Sequence, residues 1–238
     1  MIRILDCKNP NYLSRLKLIL NKRRFKSKIN TDIVIKIVKD IKINKQKALL
    51  KYEKKFSKNT KIKPTKKEIN KSIKSLDHKI KNAIDFAYSR ILKFHSLQKN
   101  KNIKYVDKQN NKIEYRYIPI QSVGIYVPSN LPSTLLMNAI LAKKIAGVKR
   151  VVLANPRLNG KLNPAVMYAA KKCGISEIIS VGGSQAIASL AYIQKVNKIV
   201  GPGNDYVARA KKEVFGDVGI EGIAGPSEIT VVADKNTN

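Results

Sequence analysis

Apolar residues recur along this chain with two different periods. Through residues 31–56 they keep to one helical face, at spacings of four or seven, with Ile33, Ile37, Ile41, Ala48 and Tyr52. Through 69–97 they return every three or four positions, at Ile73, Leu76, Ile80, Ile84, Ala87, Ile91 and Phe94. A period near 3.6, with lysine filling the positions between, predicts two long amphipathic helices. Pro64, Thr65 and Glu68 supply a start signal ahead of the second, the threonine as N-cap and the glutamate three residues later closing a capping box. Asn110-Asn111, set between the apolar runs 103–106 and 113–118, predicts a hairpin.

Beyond residue 120 the pattern changes to short β-rich runs alternating with helical ones. Strands are predicted over 123–127, 150–154, 177–181, 198–200 and 228–233, and helices over 133–146, 164–173, 184–192 and 205–215. Gly147 and Gly174 close the first two of these helices. Strands separated by helices pair in parallel through crossover connections. The predicted fold class is therefore α/β, a Rossmann-like parallel sheet with helices on both faces, preceded by a mainly helical N-terminal region. Composition divides the chain at the same place. All twelve glycines follow residue 120, and the 34 basic and 9 acidic side chains before it contrast with 14 and 7 after it. Residues 1–120 read as a lysine-rich helical region and 121–238 as a Rossmann-like nucleotide-binding domain.

The formal net charge of +32 raises the question of a nucleic-acid partner. Only nine of the 48 basic side chains are arginine, the residue suited to bidentate phosphate and base contacts. Lysine here accompanies abundant isoleucine and asparagine, all three with A/T-rich codons, and no aromatic residues interleave with the basic face as a stacking platform would require. No nucleic-acid partner is expected, and a basic nucleic-acid binder stays as an alternative function. Cys7 and Cys173 make neither a disulfide framework nor a CxxC metal spacing, which suits a reducing cytoplasm. No signal peptide and no membrane span are expected, because no apolar h-region opens the chain and no run of about 18 apolar residues occurs in it.

Two glycine-rich bends, Gly182-Gly183 and Gly201-Pro202-Gly203, each follow a predicted strand and precede a predicted helix. In an open parallel sheet ligands bind at the carboxyl ends of strands, where free N–H groups of a first helical turn can meet an anion such as a nucleotide pyrophosphate. The same bends also read as ordinary helix starts capped by Ser184 and Asn204. Neither is the GxGxxG dinucleotide fingerprint.

Four ordered segments carry more information than the bends alone: GIYVP at 124–128 with LPSTLLMNAILAKKIAG after it, GGSQAIASLAY at 182–192, KIVGPGNDYVARAKKEV at 198–214, and AGPSEITVVAD at 224–234. Together they resemble the histidinol dehydrogenase family over roughly residues 120–234. That resemblance implies oxidation of L-histidinol to L-histidine through a held aldehyde, histidinal, with two NAD and a zinc ion, by a homodimer whose sites draw on both chains. Position by position, it implies that Tyr126, Gln185 and Asn204 contact NAD and that Ser227 contacts substrate. Each position has a structural reading as well: Tyr126 as filler of a strand face, Gln185 as a solvent-facing first-turn residue, Asn204 as a plain N-cap and Ser227 as a turn residue after Pro226.

The chain departs from the family pattern in two places. YVPSNLPST is about three residues shorter than the family's loop and carries Ser129-Asn130 where the family has glycines. The family's zinc ligands and its Glu-His proton-handling pair lie beyond the segment that ends at Asn238, so the chain is expected to be an N-terminal portion, inactive alone, with no catalytic and no metal-ligating residue to nominate. His78 and His95 both fall in the helical half and make no zinc-spaced cluster. A decayed, non-catalytic nucleotide-binding domain is an alternative beside the basic nucleic-acid binder.

Overall fold

The computed structural model describes residues 4–24, 30–223, 231–234 and 237. The chain forms two compact units, one of residues 1–30 with 224–238 and one of residues 31–223. In the first, a turn in which the Asp6 carboxylate accepts the Lys8 N–H precedes α1 (Tyr12–Arg24), a helix that the apolar periodicity does not single out.

The second unit opens with α2 (Thr31–Ser57), which breaks at Lys45, where φ is 45° and ψ −123°. Asp40, before the break, accepts from Asn44 Nδ2, Lys51 Nζ and Tyr52 OH, so its carboxylate ties the two helical segments together. These partners hold its pKa down to about 2. The capping box forms as expected: the Glu68 N–H donates to Thr65 Oγ1 and the Thr65 N–H to Glu68 Oε2, starting α3 (Lys66–Lys74). The single helix expected over 69–97 is two, because Asp77 caps a new one, α4 (His78–Ser96), by accepting from the Lys79 N–H. Ile33, Ile80 and Phe94, placed on the apolar stripes by periodicity, are exposed. In α2 the buried set is Val34, Ile37, Val38, Ile41, Ala48, Leu49, Tyr52 and Glu53, so the expected stripe is buried at Ile37, Ile41, Ala48 and Tyr52 and fails only at Ile33, where Val34 takes the buried place.

β1 (Ile103–Val106) and β2 (Lys112–Tyr115) form the expected antiparallel hairpin. Five parallel strands follow: β3 (Ser122–Tyr126), β4 (Arg150–Ala154), β5 (Glu177–Ile179), β6 (Lys198–Val200) and β7 (Gly219–Ile220), in the spatial order β5-β4-β3-β6-β7. The helices between them are α5 (Pro132–Ile140), α6 (Pro164–Lys172), α7 (Gly183–Tyr192) and α8 (Asp205–Val214). α5 continues through a wider π-helical turn, Leu141–Ile145. Proline stands at the start of α5 and α6, where its missing N–H costs nothing. β7 was not legible as a strand. The strand expected over 228–233 falls largely outside the described residues, and residues 231–233 carry no regular structure.

Alternation along the central strands divides the core in two. Val123, Ile125, Val127, Val151 and Leu153 point to a layer with α3, α4, α5 and α6. Tyr126, Val152, Ala154, Ile179 and Ile199 point to the opposite layer with α2, α7 and α8. Helices thus cover both faces of the sheet, as a parallel sheet requires when both its surfaces are apolar.

Candidate functional site

The chain leaves β3, builds β4 and β5 to one side, and then returns to build β6 and β7 on the other. The strand order therefore reverses between β3 and β6, which makes the crevice beyond their carboxyl ends the favoured place for a ligand. Tyr126 ends β3, and Ile125 pairs with Val200, so the Gly201 bend starts directly beside Tyr126. Gly201 has φ +117°, and a Cβ there would stand 2.0 Å from the Tyr126 carbonyl oxygen. Only glycine fits so close to a backbone oxygen in that conformation. The Gly182-Gly183 bend reaches the same place from β5: the Gly183 N–H donates to Tyr126 OH at 3.3 Å. Ser184 Oγ donates to the Tyr206 carbonyl at 3.2 Å, joining the start of α7 to the start of α8. The two bends are neighbours.

Each bend is tied by a carboxylate. Glu53 of α2, fully buried, accepts from the Gly182 N–H at 3.2 Å and from Gln185 Nε2 at 2.9 Å, both on Oε1. Burial pushes the Glu53 carboxyl above its ordinary range, and the Gln185 and Gly182 hydrogen bonds oppose that shift in part. Glu221 accepts from the Gly201 N–H at 3.1 Å and pairs with the buried Lys211, whose Nζ also donates to the Gly201 carbonyl. A closed ring of contacts thus fixes both polar groups of Gly201. These donors are therefore already spent: the N–H groups of Gly182, Gly183 and Gly201, which the sequence offered to an anion, meet Glu53, Tyr126 and Glu221. A pyrophosphate does not fit on them, since two carboxylates hold those positions.

Among the candidate residues, the structure brings Tyr126 and Gln185 together. Tyr126 is almost wholly buried in the layer with α2, α7 and α8, its hydroxyl at the bend. Burial raises the pKa of that hydroxyl, the Gly183 hydrogen bond lowers it, and the nearby Glu53 raises it further. Gln185 is buried too and is not a solvent-facing first-turn residue. Asn204 is exposed, and its Oδ1 accepts the Val207 N–H at 3.2 Å as the N-cap of α8. That leaves its Nδ2 as the part able to meet a ligand. Ser227 lies outside the described residues. His95 is buried and bonds Gln98, while His78 contacts Asn82. Among the described residues no group of three His, Cys, Asp or Glu could hold a metal ion.

Sequence reasoning missed Glu53, Glu221 and Asn155. Asn155 follows β4, is fully buried, and donates from Nδ2 to the carbonyls of Val127 and Ser129 at 2.9 Å each. It pins the shortened loop after β3, including Ser129 with its φ of 44°. A signal existed for Glu53, the one acidic residue in the lysine-rich end of α2, four residues after the buried Leu49.

A family model for histidinol dehydrogenase matches residues 20–238. A histidinol dehydrogenase of Pelagibacter ubique (strain HTCC1062) is 61% identical over 246 residues, 100% of this chain and 57% of the relative. One from Caulobacter vibrioides is 40% identical over 241 residues, 97% of this chain and 56% of the relative. The crystal structure of histidinol dehydrogenase from Elizabethkingia anophelis matches with a TM-score of 0.79 at 38% identity, over 85% of this chain and 49% of that one. The chain thus spans about half the length of the relatives it matches. With a match across residues 20–238, this chain belongs to the histidinol dehydrogenase family.

Proposed function

We propose that this chain supplies the cofactor-binding part of an NAD-dependent oxidoreductase that converts L-histidinol to L-histidine by way of histidinal. The observation that carries the reading is the junction of the two glycine bends beside Tyr126, at the point where the strand order reverses, in a chain of this family. Bound NAD would supply the hydride acceptor for oxidation at the substrate carbinol carbon. The chain's own residues bind and orient: Asn204 offers its Nδ2, while Tyr126 and Gln185 shape the bend from below. With Gly182, Gly183 and Gly201 already paired, these groups suit a neutral, hydrogen-bonding part of the cofactor. Ser227, in AGPSE, is read as the substrate-contacting residue. Zinc finds no donor set among the described residues, so no step is assigned to it here.

We also read the protein as cytoplasmic and as a homodimer. Among the described residues no helix is long and apolar enough to cross a membrane. The hairpin exposes Ile103, Tyr105, Val106, Ile113 and Tyr115, apolar area that a second chain would cover.

Replacing Asn204 by aspartate tests the cofactor site, because aspartate caps a helix equally well but removes the Nδ2 donor. Calorimetric titration with NAD should show at least a tenfold weaker Kd for Asn204→Asp at an unchanged melting temperature. Equal affinity in the two proteins would remove Asn204 from the site.

A further inference from the structure

Glu53 stands apart from every residue considered for NAD contact, and its geometry is unusual for a buried carboxylate. It sits on α2, 129 residues before Gly182 and 132 before Gln185 in sequence, yet one of its oxygens accepts from both. The other, Oε2, is buried and makes no hydrogen bond of good geometry, although Asn59 and Ser57 lie close enough to help hold the carboxylate. A buried, half-satisfied carboxylate is costly, and a hydrophobic residue of the same size at this buried position would not carry that cost.

The shared oxygen defines an orientation. The Gly182 N–H can only donate, so Glu53 Oε1 is an acceptor whatever the protonation state of the carboxyl. With Oε1 ionised, or with the carboxyl proton on Oε2, Gln185 presents its Nε2 to Oε1, which turns its own Oε1 away to the side of Gly183. A Cβ on Gly183 would stand 3.1 Å from Gln185 Oε1, so the oxygen lies against the bend itself. Without Glu53 the amide could flip, exchanging donor for acceptor at the same place.

We propose that Glu53 is a positioning residue of the cofactor site: by accepting from Gly182 and Gln185 together, it sets the orientation of the Gln185 amide and the shape of the glycine bend. This rests on the reading of Gln185 as part of the NAD site. The role requires an acceptor oxygen and no negative charge, so Glu53→Gln preserves it, whereas Glu53→Met keeps length and volume but removes the acceptor. Leu49→Ala, one turn earlier on the same buried face, is the control for damage to α2 that leaves the amide in place.

The experiment titrates NAD by calorimetry into the full chain and the three variants, and follows hydrogen exchange at the Gly182 amide by NMR; Glu53→Ala replaces Glu53→Met if the latter does not fold. The expected result is Glu53→Gln within about threefold of the parent in Kd, Glu53→Met at least tenfold weaker, and Leu49→Ala close to the parent, a tenfold loss being about 1.4 kcal/mol. Equal binding by Glu53→Met and the parent overturns the proposal while leaving the NAD site standing, and so does an equal loss in Leu49→Ala. If the parent binds no NAD, the site reading fails and exchange alone decides. Gly182 exchange at least tenfold faster in Glu53→Met and restored in Glu53→Gln supports Glu53 as the residue that shapes the bend, and unchanged exchange overturns it.

Discussion

Gly201→Ala is the substitution with the most decided consequence. Two separable costs meet at this residue. Its φ of +117° lies where a side chain is strained, worth about 1–3 kcal/mol. The new Cβ would also stand 2.0 Å from the Tyr126 carbonyl oxygen and 3.0 Å from its carbon, both rigid backbone atoms. Relief requires β6 and β3 to separate by about 1 Å at their carboxyl ends, against interiors that resist such shifts. Separation loosens the Gly201 N–H bond to Glu221 and the Lys211 contact with the Gly201 carbonyl, at about 1–3 kcal/mol for a buried polar group left unpaired. The total is about 4 kcal/mol, which in a domain of this size lowers the melting temperature by roughly 10 °C. Two other glycines separate the costs. Gly216 has φ +103° with open space around its Cβ position, so Gly216→Ala reports strain alone. Gly222 also has open space and no positive φ, so Gly222→Ala should be neutral. Thermal melts followed by circular dichroism should rank the variants as Gly201 far below Gly216, and Gly216 below Gly222. If Gly201→Ala melts no lower than Gly216→Ala, the close approach of the bend to Tyr126 is not what demands glycine.

Two other substitutions test the polar framework. Because burial raises the Glu53 pKa in the folded state, the native protein holds a proton that the unfolded chain has released, and stability falls by about 1.4 kcal/mol per pH unit from about pH 4.3 up to the folded pKa; Glu53→Gln should remove that slope, and a parent whose denaturant midpoint is flat across this range would contradict it. Asn155→Ala should cost about 2–3 kcal/mol by unpairing the Val127 and Ser129 carbonyls, and should speed proteolytic cleavage within 127–131; an unchanged melting temperature would show that the loop holds without it.

Much of this protein is local in origin and is readable from the chain. The Thr65–Glu68 capping box, the prolines opening α5 and α6, the αL glycines Gly147 and Gly174, and the alternation that makes β3 and β4 all depend on neighbours within a few residues. So does the ordered set of segments that points to the family. Errors arose where a local signal met a packing constraint. The apolar stripe over 69–97 continues through Ser75–Asp77, but the Asp77 cap divides it, and Ile80 and Phe94 keep the periodicity without finding a surface to cover. β7 has only two residues and exists because Lys198 and Ile199 offer a free strand edge.

The candidate site divides in the same way. Two glycine bends at strand ends could be read from spacing, since glycine's dihedral freedom is a property of the residue. Whether their N–H groups were free could not, because that depends on side chains that arrive from far along the chain. Glu53 reaches Gly182 and Gln185 from the helical half, and Lys211 of α8 with Glu221 after β7 encloses Gly201. Within the lysine-rich α2 its single glutamate, four residues after Leu49, carries only a weak local mark of burial. Only the packing of α2 against α7 and α8 supplies the reason for it, by placing a carboxylate where two N–H donors would otherwise be left without water.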